Sequence, residues 1–224
     1  MNDEPSRRSW LRDFHRGFLL EGYTLTLVRG LSPQRFLELI DAGPQGDFVG
    51  FDAFVARDQE FQRDQADWGT YMFVGVTPVR GEDADWVLAL EVNGSIEIQT
   101  PAMKRATLGT RGVSHFRSPK AMTLFSWWED GELRTRFEGP LHRTGSTPDE
   151  LNDAMRQAGC DFDTGECGLE EYVALAEELT GVHVTPDMLK NGIYSTGIVR
   201  VPPPAHLRNQ RTRPIGPLKQ FGGN

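Results

Sequence analysis

Residues 22–33, GYTLTLVRGLSP, place a strand directly before a helix. The strand is expected over Tyr23–Val28, which is rich in Thr, Leu and Val. Ser32 and Pro33 then indicate a helix start, because a serine side chain caps a free backbone amide and proline suits the first helical position. The helix would end at Gly43, since glycine readily adopts the left-handed conformation of a helix C-terminus. Its buried residues would be Phe36, Leu37 and Ile40.

Further strands are expected along most of the remaining chain. From Tyr71 onward the apolar residues recur with a period of two, as in a strand with one buried face. The predicted strands are Tyr71–Val76, Trp86–Val92, Ser95–Gln99, Gly112–Arg117, Met122–Glu129, Glu132–Glu138 and Tyr194–Val201. At the Asn-Gly pair 93–94, a two-residue turn would set Leu90 opposite Glu97, whereas a three-residue loop sets it opposite Ile96. We predict the second register, because it keeps the apolar side chains on one face.

Three helices are expected beside these strands. Residues 147–150, Thr-Pro-Asp-Glu, form a capping box with proline at the first helical position, and Gly159 would end that helix. Leu169–Thr180 has apolar residues at helical spacing and glutamates on the opposite side, with Gly181 as its terminator. A shorter helix would begin at Thr185, which proline follows.

Two more segments carry helix signals of a different kind. The aromatic residues Trp10, Phe14 and Phe18 are four apart, which is typical of one face of an amphipathic helix. Phenylalanines also indicate a helix late in residues 44–68. The sequence therefore predicts an α+β fold, a mostly antiparallel sheet with several helices packed against it. It would be a single compact domain over residues 1–201, followed by a basic, proline-rich C-terminal arm over residues 202–224.

Charge is distributed unevenly along the 224 residues. The formal charge is −8, but residues 188–224 hold six basic residues and no acidic one, which leaves 18 basic against 32 acidic residues before them. An acidic body repels nucleic acid and anionic lipid, so nucleic acid is an expected partner only through the arm. The candidate binding residues there are Arg208, Arg211 and Arg213. The favoured alternative is that the arm docks on its own body or on a neighbouring copy.

The chain has two cysteines, Cys160 and Cys167, whose spacing fits neither a zinc ribbon nor a redox CxxC pair. We expect both to be free thiols in a reducing cytosol. Residues 6–12 are similar to a twin-arginine export signal, but charged residues interrupt the apolar stretch that must follow. No apolar run approaches the roughly 18 residues of a membrane span. A cytoplasmic protein that does not enter a membrane is therefore expected.

Sequence signatures of catalysis are missing from the chain. It contains no GxGxxG, P-loop, HExxH or GxSxG motif, and its five histidines show no paired spacing. Ser114 and His115 are neighbours on a predicted strand, so they point to opposite faces and cannot act as a nucleophile and its base. His115 is expected to be a structural, hydrogen-bonding residue. Residues 161–166 have the wrong context for a calcium loop or a phosphatase aspartate pair. We predict no catalytic residue, no cofactor and no metal.

A binding face is predicted at the hairpin around the Asp-Gly turn 130–131. A two-residue loop would put Phe125 and Trp127 on one face with two arginines, and a three-residue loop would put Leu124 and Trp128 there instead. Tryptophan and arginine commonly anchor interfaces and attract each other. The candidate binding residues are Trp127, Trp128, Arg134, Arg136 and His115. The favoured alternative is that a helix covers this face and the arginines extend past it.

Four blocks of the sequence carry a resemblance. They are GYTLTLVRGLSP at 22–33, VSHFR at 113–117, WEDGEL at 128–133 and LAEELTGV at 175–182. In this order they are similar to a family of uncharacterised bacterial proteins common in actinobacteria, over about residues 10 to 201. The resemblance implies a single compact domain, usually intracellular, and it supplies no activity and no catalytic residues.

Three functions fit these observations. The first is a non-catalytic protein-binding module, such as an immunity or accessory factor in a bacterial conflict or assembly system. The second is an enzyme or small-molecule binder with a site on the sheet around His115, together with Glu91 and Arg117. The third is a structural subunit of an oligomer that uses its C-terminal arm. A protein partner or self-association is expected in the first and third.

Overall fold

A computed structural model describes Arg8 and residues 10–14, 22–65, 70–92, 100–120 and 122–201. Three predictions lie outside the described residues: Phe18 on the N-terminal helix, the turn and strand over residues 93–99, and the C-terminal arm over residues 202–224. The described residues form one α+β domain around one sheet, as the hydrophobic pattern predicts.

Nine antiparallel strands of the described residues make up the sheet. They are β1 Tyr23–Arg29, β2 Gly43–Val49, β3 Tyr71–Arg80, β4 Asp85–Val92, β5 Arg111–Arg117, β6 Thr123–Glu129, β7 Glu132–Phe137, β8 Arg143–Thr144 and β9 Ile193–Arg200. Their order across the sheet is β2-β9-β3-β4-β1-β5-β6-β7-β8. β1, which comes from the stretch at residues 22–33, lies in the middle of the sheet and pairs with β4 and β5.

Helices cover both faces of this sheet. They are α1 Trp10–Asp13, α2 Pro33–Leu39, α3 Phe51–Asp64, α4 Thr100–Ala106, α5 Asn152–Ala158, α6 Leu169–Thr180 and α7 Pro186–Asn191. We call the face that α2 and α4 cover the α2 face, and the face that the other helices cover the α6 face. Leu25 and Leu27 of β1 point to the α6 face, whereas Val28 points to the α2 face.

The first predicted helix is confirmed at its start and corrected at its end. The Ser32 hydroxyl accepts a hydrogen bond from the Arg35 amide at 3.2 Å, and the predicted apolar residues of α2 are buried. Gly43 does not end the helix. Asp41 adopts the left-handed conformation, with φ of 58°, because aspartate tolerates that conformation, and Gly43 becomes the first residue of β2.

Residues 44–65 contain both a strand and a helix. β2 is an edge strand with a bulge between Pro44 and Gly46, and Gly50, with φ of 87°, turns the chain into α3. The helix buries Phe51, Phe54 and Phe61 against the sheet. Their spacing of three and seven is the helical period, so the helix expected late in this segment is confirmed over fourteen residues.

The capping box at 147–150 begins its helix later than predicted. Residues 148–151 form a turn, and α5 starts only at Asn152. The predicted capping box is not formed, because the Thr147 amide donates to the Arg134 carbonyl at 2.9 Å and the Glu150 carboxylate accepts from the Thr147 hydroxyl instead. The same carboxylate also binds side chains of the sheet. The helix ends as predicted at Gly159, which has φ of 101°. α6 has the predicted bounds and ends at Gly181.

The expectation of free thiols is wrong, since Cys160 and Cys167 form a disulfide. Cys160 follows the end of α5 and Cys167 comes just before α6, so the turn between these packed helices brings the two Cα atoms to 4.5 Å. Asp161 organises the loop between them by accepting hydrogen bonds from the amides of Asp163 and Thr164. Spacing along the sequence does not reveal this proximity, because it depends on how the two helices pack.

Among the described residues, no helix is long and apolar enough to cross a membrane.

Candidate binding site

His115 lies inside the domain, where it is hydrogen-bonded to Tyr23. The Tyr23 hydroxyl and His115 Nδ1 are 2.7 Å apart, and both residues are 1% exposed. Burial lowers the pKa of His115 to about 3 and raises the pKa of Tyr23, so both are neutral at physiological pH. This environment agrees with the predicted hydrogen-bonding role of His115.

The residues suggested for a site around His115 do not converge. His115 lies opposite Leu25 in the β1–β5 ladder and therefore on the α6 face, as does Arg117 opposite Tyr23. Glu91 lies opposite Thr24 and therefore on the α2 face. Directly opposite residues of neighbouring strands share a face, so the sheet itself separates Glu91 from the imidazole.

The hairpin arginines lie on opposite faces, which corrects the predicted common face. The turn at 130–131 has two residues, with Glu129 opposite Glu132, but a bulge beside Arg134 shifts the register beyond it. Arg136 therefore lies opposite Ser126 on the α2 face, where its Nε donates to the serine hydroxyl at 3.0 Å. The bulge was missed because either register that the sequence offered assumed regular pairing from the turn onward.

Trp127 and Arg134 meet at one carboxylate, and we call these residues with Glu150 the hairpin cluster. Trp127 Nε1 donates to Glu150 Oε1 at 2.8 Å, and Arg134 donates to Glu150 Oε2 at 2.7 Å. Burial would raise the pKa of Glu150, but hydrogen bonds from Thr147, Arg134 and Trp127 lower it below its ordinary value. Trp127 is 5% exposed and Trp128 on the other face is 1% exposed. The indoles thus contribute to the interior, and their predicted binding role stays a prediction.

A site that the sequence analysis missed lies at the end of β4, β1 and β5. Arg29 stands opposite Trp86 in the β1–β4 ladder. Val28 stands opposite Gly112 in the β1–β5 ladder, so the next position of each strand sets Arg29 opposite Arg111. All three side chains face the α6 face, beyond the C-terminus of α6. We call the surface that Arg29, Trp86 and Arg111 form the strand-end trough.

Local contacts fix the strand ends that carry the trough. The Thr110 hydroxyl donates to the Arg29 carbonyl at 3.0 Å, and the Gly30 amide donates to the Asp85 carbonyl at 2.8 Å. The guanidinium carbon of Arg111 lies 5.9 Å from the centre of the Trp86 ring, within range of a cation–π contact. The indole is 1% exposed, so it forms a rigid floor.

The two trough arginines lack a described carboxylate partner, which most of the other described arginines have. Ion pairs are formed by Arg8, Arg12, Arg35, Arg57, Arg80, Arg105, Arg134, Arg143 and Arg156. Arg29 and Arg111 form none with a described carboxylate, and Arg111 Nε is buried with no hydrogen-bond partner in the described part of the chain. Like charges directly opposite each other destabilise a sheet, and a buried unpaired donor adds to that cost.

The trough lies between two concavities that share both arginines. One has a volume of about 370 Å³ and is bounded by the end of α6 and by the turn between β3 and β4. The other, of about 560 Å³, is bounded by Gly30, Gly109 and Asp130.

Two guanidinium groups on directly opposite residues are suited to one kind of ligand group. Each presents a planar fork of donors that matches a carboxylate or a phosphate, and neither can act as a base. Among the described residues, no group of His, Cys, Asp and Glu has the arrangement of a metal site. Sequence alone could not identify this pair, because 82 positions separate the two arginines and only the β1–β5 register brings them together.

Comparison with known proteins gives a family match. A model described as a family of unknown function (DUF6461) matches residues 6–204. A comparison with curated proteins and a comparison with solved structures found no match. The matched range includes the trough, the hairpin cluster and the whole sheet.

Proposed function

Since the chain belongs to DUF6461, a family of unknown function, we propose from its own geometry that it is a non-catalytic protein-binding module. Its strand-end trough would hold a carboxylate group presented by a segment of a partner protein. The wider setting we propose is an accessory or immunity factor of a bacterial conflict or assembly system. The actinobacterial origin that the sequence resemblance implies stays a prediction.

One observation carries this proposal, the unpaired arginines that stand opposite each other. Folding brings Arg29 and Arg111 together with no described carboxylate between them, in a chain whose formal charge is −8. An anion held by both guanidinium groups would remove their repulsion and satisfy the buried Arg111 Nε. The fold would then retain an unfavourable pair because the pair completes a bound complex.

The shape of the trough favours a protein segment over an enclosed metabolite. Sites for small molecules are mostly apolar and bury most of the ligand surface. The concavity beside α6 is instead open and lined largely by charged side chains, including Glu82, Asp83 and Glu178. Its imidazole, His183, is 67% exposed and lies 3.7 Å from Glu82, beyond hydrogen-bond distance. These features support contact with a surface segment.

The support for the predicted cytoplasmic location and for the two alternative functions differs from what the sequence offered. A cytoplasmic location stays a proposal, but the Cys160–Cys167 disulfide removes the free thiols on which it was based. An enzyme or small-molecule site around His115 loses support, because that imidazole is buried, neutral and separated from Glu91. Self-association through the C-terminal arm involves residues outside the described part of the chain and stays a prediction.

A peptide titration tests the proposed recognition. The probe is the capped tripeptide acetyl-Ala-Glu-Ala-amide, and its affinity is measured by NMR for the wild type and for the double variant Arg29→Gln, Arg111→Gln. We expect the double variant to bind about tenfold more weakly, since it loses charged hydrogen bonds to the carboxylate. The matched control, Arg35→Gln with Arg63→Gln, removes two exposed arginines from α2 and α3 and should bind like the wild type. Equal affinity of all three proteins would refute the proposal.

A second experiment separates a protein partner from a metabolite. The wild type, the trough variant and the control variant are used as bait in the native host, and the bound proteins are identified by mass spectrometry. We expect a protein that the wild type and the control retain and the trough variant loses. If the wild type instead carries a small anion and no protein that depends on the trough, the module binds a small molecule and the proposed function is wrong.

A further inference from the structure

We propose, on the basis of the proposed function, that the partner segment carries basic residues on both sides of the carboxylate that the trough binds. The ligand class is thus an ampholytic segment, such as Lys-Glu-Lys, and not an acidic one. The inference comes from the acidic side chains that surround the arginine pair.

Three exposed carboxylates line the concavity beside α6. Glu82 and Asp83 lie on the turn between β3 and β4, and Glu178 lies on the outer side of α6. We call these three residues the acidic rim. None of them forms an ion pair with a described arginine or lysine, in contrast to Glu177, which binds Arg8. The rim therefore keeps its negative charge available to a ligand.

The fold holds the rim at a fixed position beside the trough. The Glu82 amide donates to the Gly181 carbonyl at 3.0 Å, which joins the β3–β4 turn to the end of α6. Gly81 packs so closely that a Cβ there would lie 2.8 Å from the Thr180 carbonyl oxygen and 2.8 Å from Trp86 Nε1. The turn thus lies directly on the indole that forms the floor of the trough, and it brings acidic residues to the edge of the arginine site.

The arginine pair and the acidic rim have opposite charges and act on a ligand at different distances, and together they select it. The guanidinium groups attract an anionic group at hydrogen-bond distance, but the rim and the net charge of −8 repel anions that approach from farther away. A segment with several acidic residues would meet that repulsion at each flanking position. A segment with one carboxylate between two basic residues is attracted at every position, because its cations lie near the rim.

Three capped tripeptides of the same length test this inference: acetyl-Lys-Glu-Lys-amide, acetyl-Ala-Glu-Ala-amide and acetyl-Glu-Glu-Glu-amide. The affinities are measured by NMR titration at low salt. We expect the wild type to bind the Lys-Glu-Lys peptide about fivefold more tightly than the Ala-Glu-Ala peptide, since each exposed charge pair contributes modestly. The Glu-Glu-Glu peptide should bind most weakly. Higher salt should reduce the differences.

Charge-matched variants assign the preference to the rim. The variant Glu82→Gln with Asp83→Asn should lose most of the preference for the Lys-Glu-Lys peptide over the Ala-Glu-Ala peptide, because it removes two of the three rim carboxylates. The control Glu60→Gln with Asp64→Asn removes two exposed acids from α3 and should keep the wild-type preference. A Glu-Glu-Glu peptide that binds as tightly as Lys-Glu-Lys, or a rim variant that keeps the full preference, would overturn the inference.

The results distinguish this inference from the proposed function. If the Ala-Glu-Ala peptide binds the wild type and loses affinity in the Arg29→Gln, Arg111→Gln variant, the carboxylate site stands whatever the flanking residues do. If no peptide depends on the two arginines, the proposed function fails first. If only the preference for flanking lysines is missing, the inference alone fails.

Discussion

Two clusters of arginine and tryptophan lie on the α6 face, and they differ in whether a carboxylate completes them. In the hairpin cluster, Glu150 accepts hydrogen bonds from both Trp127 and Arg134. In the strand-end trough, Arg29 and Arg111 stand beside a buried tryptophan without a described ion pair. The residue types are the same, so the presence of an acceptor distinguishes a structural cluster from a candidate binding site.

This difference has a consequence for stability and for binding. A cluster whose donors are all satisfied contributes to folding and offers no group to a partner. A cluster with unsatisfied donors is neutral or unfavourable for folding and gains most from an added anion. The effect is expected to be largest for buried titratable groups and smallest for the trough.

The largest expected effect on stability comes from His115, which the folded protein accommodates only in its neutral form. Its folded pKa of about 3 lies below the ordinary value of 6.5, so the unfolded chain takes up the proton first as the pH falls. The stability contributed by the neutral imidazole is therefore present above pH 6.5 and is lost towards pH 3, by about 4 kcal/mol. Denaturant unfolding of the wild type and of His115→Gln across this range measures the loss. A wild type and variant with parallel pH profiles would contradict the buried, neutral histidine.

Asp58 tests the opposite case, a buried carboxylate with one unsatisfied oxygen, since Gln62 donates to its Oδ1 at 3.3 Å. It is 1% exposed on α3, its Oδ2 has no hydrogen-bond partner among the described atoms, and burial raises its pKa to about 7. The folded protein thus binds this proton more tightly than the unfolded chain, and stability is lost as the pH rises from about 4 to 7. Asp58→Asn should be more stable than the wild type at pH 8, by about 4 kcal/mol, and close to it at pH 4. An Asn variant that is less stable than the wild type at pH 8 would contradict the unfavourable burial of the charged carboxylate.

Glu150 is the residue whose removal should turn the hairpin cluster into an unsatisfied one. Glu150→Ala leaves Arg134 and the buried indole nitrogen of Trp127 without their acceptor, and we expect a loss of about 2 kcal/mol in the free energy of unfolding. Glu129→Ala is the matched control, because Glu129 is more exposed than Glu150 and its carboxylate, among the described residues, pairs only with Arg134, at 3.3 Å. The control should lose less than about 1 kcal/mol. Equal losses in the two variants would mean that Glu150 does not organise the cluster.

The local elements of this fold can be predicted from the sequence, whereas the candidate site cannot. Strands, helix caps and the sheet class are local patterns, so Tyr23–Val28, Ser32 and Leu169–Thr180 were predicted correctly. The candidate site depends on register between distant strands. The bulge beside Arg134 separated a predicted pair of arginines, and the β1–β5 ladder created an unpredicted one. Neither a bulge nor a pairing between strands 82 residues apart leaves a signal in composition or periodicity.

The trough arginines should contribute little to folding, in contrast to the hairpin arginine. The Arg29→Gln, Arg111→Gln variant should have the wild-type free energy of unfolding within about 1 kcal/mol, because it removes a repulsion together with any favourable contacts. Arg134→Gln, which leaves Glu150 without its charged donor, should be clearly less stable. Both are measured by urea unfolding. A large loss in the trough variant would indicate that the two arginines have a structural partner, which would weaken the case for an open site.

The most direct test of the central claim compares the arginines of the two clusters in one spectrum. Side-chain Nε–H resonances of ¹⁵N-labelled protein are followed by NMR while acetyl-Ala-Glu-Ala-amide is added, and single Arg→Gln variants assign the signals. The account predicts that the Arg29 and Arg111 signals move together and saturate, while the Arg134 signal stays in place because Glu150 already occupies it. Movement of Arg134 without Arg29 and Arg111, or no movement of any of the three, would contradict the account.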